Sequence, residues 1–401
     1  MATTHERGGT YEIRSFRPDD REPYLDLYER VFGERREAYF DWRFVDNPYV
    51  ASPPIQVATT DDELVGGRSS LVLPMSVGRK RVLTIVQVDP MVHPDHRGQG
   101  LFSRMVESVY DQYASTDVGI SIGFPSDAVR SALERMAERL SITAGVVDAF
   151  PQYYRIQRPT ALVGDDEKAV RGLAKLAAPV AGGYLGARDR LAERVADHDV
   201  VVERYDDPPV TLLSDLAGPG DPDGIHAVRD EEFYRWRFDN PRYEYVTYVA
   251  RNETEPVASL VAGTRTDGSR TVTHVSDVLP LGGVDRRSTG VRSNGADRST
   301  STEHERAVDR TAELARLLGR LVDDHRGADL IAAAGRALPT DVLSAYGFHD
   351  DTRPPLDRFT DANYFIARPV ADERVTDWQI GRVKPGNPEA WLLSFCDREI
   401  G

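Results

Sequence analysis

A chain of 401 residues, 40% of them hydrophobic, is longer than one ordinary domain and is expected to form two units, each burying its own core. Its 65 acidic against 50 basic residues give a formal charge of −15, which opposes phosphate backbones and anionic membranes and excludes nucleic acid and membrane as expected partners. Only Lys80, Lys168, Lys175 and Lys384 are lysines, and acidic excess with lysine depletion looks like a protein of a salt-loving organism. The single cysteine, Cys396, rules out an intrachain disulfide and reads as a small apolar residue in a reducing compartment. With no long apolar run and no hydrophobic export core after Met1, the expectation is a soluble, cytoplasmic protein.

In chain order, a helical stretch runs into Tyr39-Phe40-Asp41-Trp42-Arg43-Phe44 and then Asp46-Asn47-Pro48. Strand-like segments follow at 55–59 and 63–77, and Val82-Leu83-Thr84-Ile85-Val86-Gln87-Val88 reads as a buried strand. Residues 92–102, Val-His-Pro-Asp-His-Arg-Gly-Gln-Gly-Leu-Phe, form a glycine-bearing turn into a helix whose Leu101, Phe102, Met105, Val106, Val109, Tyr110 and Tyr113 make one apolar stripe. The first-turn amides of such a helix have no intrahelical partner and its dipole favours negative charge there, so the turn is a phosphate cradle. By themselves Gly98 and Gly100 are only turn residues; the strand before and the helix after give them meaning. The strand 118–124 leads to Ser126, which either caps the next helix or faces a ligand.

Tyr153 and Tyr154 follow Phe150-Pro151 on the expected last strand of the first half. Residues 159–198 carry alanine and leucine at helical spacing and are expected to be a helical connector. Phe233-Tyr234-Arg235-Trp236-Arg237-Phe238-Asp239-Asn240-Pro241 then repeats the earlier motif. Symmetric recurrence of Trp42 and Trp236 favours packing over acceptor binding. Strands at 245–250, 257–261 and 270–278, a helix at 303–324, a strand at 328–334 and a short helix ending at Tyr346-Gly347-Phe348 complete the second half. Residues 281–301, rich in Gly, Ser, Arg, Thr and Asp, are expected to be a mobile insertion. The tail, 378–401, carries Trp391-Leu392-Leu393-Ser394-Phe395 to dock on a domain before Asp397-Arg398-Glu399.

The order Val-His-Pro followed by Arg-x-x-Gly in 92–100 closely resembles the pyrophosphate loop of the GNAT acyl-CoA N-acyltransferases, and Gly347-Phe348 resembles the end of the fourth GNAT helix. The resemblance implies an α/β (α+β) fold of two tandem GNAT-like domains, each a mixed, mostly antiparallel twisted sheet flanked by helices. The implied division is 1–158 for an acyl-CoA-binding domain, 159–198 for the connector, 199–370 for a degenerate GNAT-like domain with the insertion near 281–303, and 371–401 for the tail. It also implies acetyl-CoA as acyl donor, held by Met91, Val92, Arg97, Gly98, Gln99, Gly100, Leu101, Phe102, Ser103 and Ser126, with no metal. The acceptor would be a small-molecule or peptide amine, and homo-oligomerisation is left open. In such a fold strands 82–92 and 118–124 splay to admit the donor, and a strand-four amide polarises the thioester carbonyl. Nothing in 281–301 reproduces Arg-x-x-Gly, so the second half is expected to have lost coenzyme binding.

Two residues depart from the family pattern. Phe102 stands where the last Gly or Ala is usual, and Pro90, near the strand position that donates its amide to the thioester, has no N–H. Either Met91 or Val92 donates instead, or the strand bulges. The tyrosine usual in the fourth helix is absent from 126–138. Candidates for proton transfer are Asp89 on strand four and Tyr154 (or Tyr153) on the expected last strand, ahead of His93 and His96. The expected function is an acyl-CoA-dependent N-acyltransferase, most simply an acetyltransferase, acting by direct attack in a ternary complex. The alternative is a non-catalytic acyl-CoA binding or sensing protein. An aminoacyl-tRNA-dependent peptidyl transferase is disfavoured by the net charge and by the intact coenzyme loop.

Overall fold

The computed structural model describes residues 11–61, 63–140, 145–159, 182–192, 200–218, 223–281, 299–354, 356–358, 363–370 and 378–398. Two mixed, mostly antiparallel sheets with helices against them make up the fold. The first begins with β1 (Glu12–Ser15), β2 (Ile55–Thr60), β3 (Glu63–Val77) and β4 (Lys80–Val92), each antiparallel to the next. β2 is buried throughout and β3 almost so, as expected of β-branched and aliphatic runs covered on both faces. β5 (Val118–Gly123) runs parallel to β4. A parallel neighbour needs a crossover, and the amphipathic α3 (Leu101–Tyr113) supplies it, burying Leu101, Met105, Val106, Val109 and Tyr110. The other helices of this half are α1 (Arg21–Phe32), α2 (Glu37–Phe40) and α4 (Asp127–Leu140). A π-helical turn at Asp41–Val45 extends α2 and carries Trp42.

The second sheet repeats this order with β8 (Val201–Tyr205), β10 (Glu244–Asn252), β11 (Glu255–Asp267), β12 (Arg270–Leu279) and β13 (Leu330–Ala334), β12 and β13 being parallel. The tandem arrangement is thus present, but its division differs from the expected one at residue 158. β7 (Gln152–Ile156) leaves the first half and pairs with β13 and β14 (His349–Asp350) in the second sheet. In return β15 (Tyr364–Pro369) inserts between β5 and β6 (Val146–Ala149) in the first sheet. The two halves exchange a strand. β9 (Ile225–Ala227) adds a further crossing by pairing with the end of β3.

The halves meet about the repeated aromatic motif. α7 (Glu231–Phe238) brings Trp236 flat against Trp42, with ring centroids 5.4 Å apart and planes 12° from parallel. Trp42 Nε1–H donates to Trp236 O at 2.7 Å, and Trp236 Nε1–H returns the bond to Trp42 O at 2.9 Å. One buried cluster extends from Tyr24 and Phe44 of the first half through both indoles to Phe233 and Phe395, so the expected pair of separate cores is in part a shared one. Of the expected connector, 182–192 are helical (α5) and fasten to the second sheet: Asp189 takes both terminal nitrogens of Arg155 on β7 at 2.9 Å. The rest of the connector, and most of the insertion expected at 281–301, lie outside the described residues. Three helices complete the second half: α6 (Val210–Ala217), α8 (Ser299–Asp324) and α9 (Thr340–Ala345). Among the described residues no helix is long and apolar enough to cross a membrane.

Candidate active site

After β4 the chain forms a 3₁₀ turn at Pro94–His96 and an extended Arg97, then reaches α3 through Gly98 (φ +79°) and Gly100 (φ +71°). Both glycines are left-handed, a conformation that costs other residues roughly 1–2 kcal/mol. A Cβ at either would meet nothing within 4 Å, so the space above the loop is open and it is φ that demands glycine. Gly100 caps α3 without a side chain, which leaves the amides of the first helical turn to be served from outside. Residues 97–100 are exposed, with Arg97 Nε bonded to Val92 O at 3.2 Å. An open nest of amides beside an exposed guanidinium suits a pyrophosphate. His93 and His96 shape the turn: His93 Nδ1 accepts from the Asp95 amide, and His96 Nδ1 bonds Tyr11 Oη at 3.1 Å.

β4 and β5 pair only as far as Gln87 opposite Gly123, after which β4 continues to Val92 with β3 as its partner. A cavity of 290 Å³ opens there, lined by Gln87, Val88, Asp89 and Pro90 on β4, by Phe124, Pro125 and Ser126 after β5, and by Arg68 and Arg398. The β3–β4 register shifts between Gly67 opposite Met91 and Ser69 opposite Val88, so Asp89 and Pro90 bulge out facing Arg68. Asp89 has a φ of +38° in this bulge. Of the two ways around Pro90, the strand therefore bulges. Met91 is buried with its side chain over Gly67, and Phe102 is half-buried under Arg68.

Of the candidate proton-transfer groups, only Asp89 reaches this cavity. Its Oδ2 accepts from Arg43 Nη1 at 2.6 Å, and Arg43 is 1% exposed. Tyr154 does not line the cavity: it lies on β7 in the second sheet, opposite Ala332 and His349, because the strand expected to close the first sheet has been exchanged. Its hydroxyl donates to Gln152 Oε1 at 2.8 Å, and burial raises its pKa to about 12, as it does that of Tyr153. Neither is placed to give up a proton at the cleft.

The residues that sequence reasoning missed are Arg43, Arg68 and Arg398. Arg68 is 96% buried, and no acceptor lies within hydrogen-bonding distance of its Nε. A charged residue in the apolar run 63–77 was the available signal for it. Arg43 stands in the repeated motif, where Arg237 is its counterpart.

The matching gap in the second sheet is filled. β12 and β13 pair only from Val272 to His274 on β12, and the tail enters where they part. Cys396 N donates to Ser276 O at 2.9 Å, and the Phe395 ring stands edge-on to His274 at 4.8 Å. Beyond β13, a Cβ at Gly335 would overlap the carbonyl oxygen of Leu393. Arg237 holds the tail by donating to Phe395 O at 2.9 Å and to Arg398 O. Below it, Arg229 bridges Asp277 and Asp397, all three wholly or almost wholly buried. Burial lowers His274 to a pKa of about 3 and raises the Cys396 thiol, so neither is an ionised group at neutral pH. The apolar docking segment of the tail is as expected, and Arg398 beyond it reaches the first cleft.

A β-bulge and an open cleft between parallel central strands thus stand beside an amide nest at the following helix, in a mixed α/β fold. Residues 12–136 match the family described as the acetyltransferase (GNAT) domain, and the chain carries a GNAT domain over that segment. No curated protein matches the chain in sequence. Among solved structures, a GCN5-related N-acetyltransferase from Anabaena variabilis is 12% identical with a TM-score of 0.52, over 90% of this chain and 73% of that one. N-myristoyltransferase from Saccharomyces cerevisiae, solved with bound myristoyl-CoA, is 11% identical with a TM-score of 0.53, over 89% of this chain and 82% of that one. A probable N-acyltransferase from Enterococcus faecalis is 9% identical with a TM-score of 0.54, over 90% and 73%. At these identities the likeness is one of fold, and the fold is that of the GNAT acyltransferases.

Proposed function

We propose that the protein is an acyl-CoA-dependent N-acyltransferase, with acetyl-CoA as donor and the primary amine of a small molecule or peptide as acceptor. The observation that carries this reading is the contrast between the clefts: the first is open beside an unserved amide nest, and the second is filled by the chain's own tail. The amides of Gly98 to Ser103 and the Arg97 guanidinium bind the pyrophosphate. Val92 and the buried Met91 wall the pantetheine path, with Phe102 as an aromatic side and Ser126 at the far edge. Bound there, the coenzyme supplies an acyl thioester. Asp89, fixed by Arg43, holds the acceptor's ammonium at the cavity wall and takes its proton, so that the free amine attacks the thioester carbon. Placement of this kind supplies about 7–11 kcal/mol of barrier reduction. The second half is structural and binds no coenzyme.

Isothermal titration with acetyl-CoA tests the reading, with Gly100→Glu as the variant that adds a side chain and a negative charge to the nest. The wild type should bind and the variant should not. Absence of binding by the wild type, or equal binding by both, refutes the loop assignment. Release of thiol with a panel of amines then separates an enzyme from an acyl-CoA sensor, the reading that Pro90 favours.

A further inference from the structure

The least expected group in the cleft is Arg68. A guanidinium removed from water without a hydrogen-bonded counterion is costly, and structures keep such groups only where something pairs with them. Arg68 is 4% exposed, its Nε has no partner, and its ring contact is the face of Phe102 at 5.5 Å. Asp89, the carboxylate of this cavity, is bonded to Arg43. Burial lowers the Arg68 pKa to about 10, with Arg368 opposing the charge and Tyr110 and Asp89 favouring it, which still leaves it protonated at neutral pH. Across the bulge from Arg68 stands Pro90, near the strand position that the GNAT resemblance gives to the amide serving the thioester, and proline offers no N–H there.

We propose that Arg68 is the oxyanion-stabilising group of this cleft, its guanidinium taking the place of the strand amide that Pro90 removes. This rests on the acyltransferase reading above. As the amine nitrogen bonds to the thioester carbon, the carbonyl π pair moves onto oxygen, and Arg68 donates to that oxygen. When the pair returns, the C–S bond breaks with its electrons on sulfur, and the proton lost by the amine ends on the departing thiol. A buried guanidinium whose Nε is unsatisfied in the resting protein and which gains an acceptor as the oxyanion forms is complementary to the transition state rather than to the substrate. A permanently anionic acyl group would instead satisfy Arg68 on binding.

The test uses the full chain, acetyl-CoA labelled with ¹³C at the carbonyl, hydroxylamine as a small acceptor, and the variants Arg68→Met and Arg68→Lys. Titration calorimetry reads binding, difference infrared spectroscopy reads the bound carbonyl stretch, and thiol release reads turnover. Arg68→Met should bind acetyl-CoA as the wild type does and unfold at no lower temperature, since it removes a buried charge whose Nε is unsatisfied. Its carbonyl band should move back towards the value in water, and kcat should fall about 10²- to 10³-fold. Arg68→Lys should recover part of both. An unchanged band and rate in Arg68→Met overturn the proposal, as does a loss confined to succinyl-CoA as donor, which would make Arg68 a carboxylate anchor. No binding of acetyl-CoA by the wild type would overturn the acyltransferase reading itself, a result separate from binding with an unmoved band.

Discussion

Replacing Asp397 by alanine should release the tail from the second sheet at a large cost in stability. Asp397 is fully buried and accepts five hydrogen bonds: from the Ala227 amide at 2.7 Å, from Arg229 Nη1 and Nη2 at 2.5 and 2.7 Å, and from the Ser394 amide and hydroxyl at 2.7 and 3.1 Å. Removing one member of a buried ion pair costs about 3–5 kcal/mol, because the remaining charge keeps its desolvation penalty. Here Asp277 still neutralises Arg229, so the lower end applies. With about 2.1 cal/mol/K of unfolding entropy per residue, a 401-residue chain loses roughly 1.2 °C in Tm per kcal/mol, so about 3 kcal/mol predicts a fall of about 4 °C. Burial by itself would raise the Asp397 pKa, but the charge and hydrogen bonds of Arg229 outweigh it and the net shift is downward. A carboxylate lowered in this way contributes stability above its unfolded value of 3.8 and loses it as pH falls through the folded value. The gap between wild type and Asp397→Ala should therefore be constant from about pH 5 to 8 and close below about pH 4. Scanning calorimetry across that range checks both statements. A variant within 1 °C of wild type (roughly 1 kcal/mol by the same scaling), or a gap that widens in acid, would refute the reasoning.

Gly335→Ala should also displace the tail, since its φ is +67° and the added Cβ would overlap Leu393 O; faster proteolysis between 391 and 398 is the expected sign. Trp42→Phe removes the N–H that serves the buried Trp236 carbonyl and should cost about 1–3 kcal/mol in urea denaturation, with Trp236→Phe costing a similar amount because the two bonds are reciprocal. His274 binds a proton near 6.5 when unfolded but only near 3 when folded, so between those values the unfolded state holds more protons and stability falls as pH falls, by up to about 1.4 kcal/mol per unit. His274→Leu should flatten that slope without abolishing it, because burial lowers His226 and His325 in the same direction.

What was legible in the sequence was what is written locally. The loop from Val92 to Phe102 and the helix after it follow from glycine, proline and a period of three to four residues. The Trp42 and Trp236 motifs betrayed a repeat because packing at a two-fold contact selects the same side chains twice. Tyr154 shows the limit: its strand was expected, but which sheet it joins depends on competition between two similar edges, and nothing in Gln152–Ile156 records the winner. The partners Arg229, Asp277 and Asp397 are likewise set by tertiary approach over 168 residues, a separation at which spacing carries no signal. Arg68 was visible as a charge in an apolar strand, but its meaning needed the bulge opposite.

The exchange of β7 for β15 has a mechanical consequence. Two copies of one domain that trade their last strands about a dyad form a swapped dimer, and here a single polypeptide joins the copies. The covalent link between the halves is thus not what holds them together. Cutting it would leave each fragment woven into the other through a strand, two indole hydrogen bonds and the tail, so the nicked protein should travel as one particle. Separating the fragments would require unfolding both.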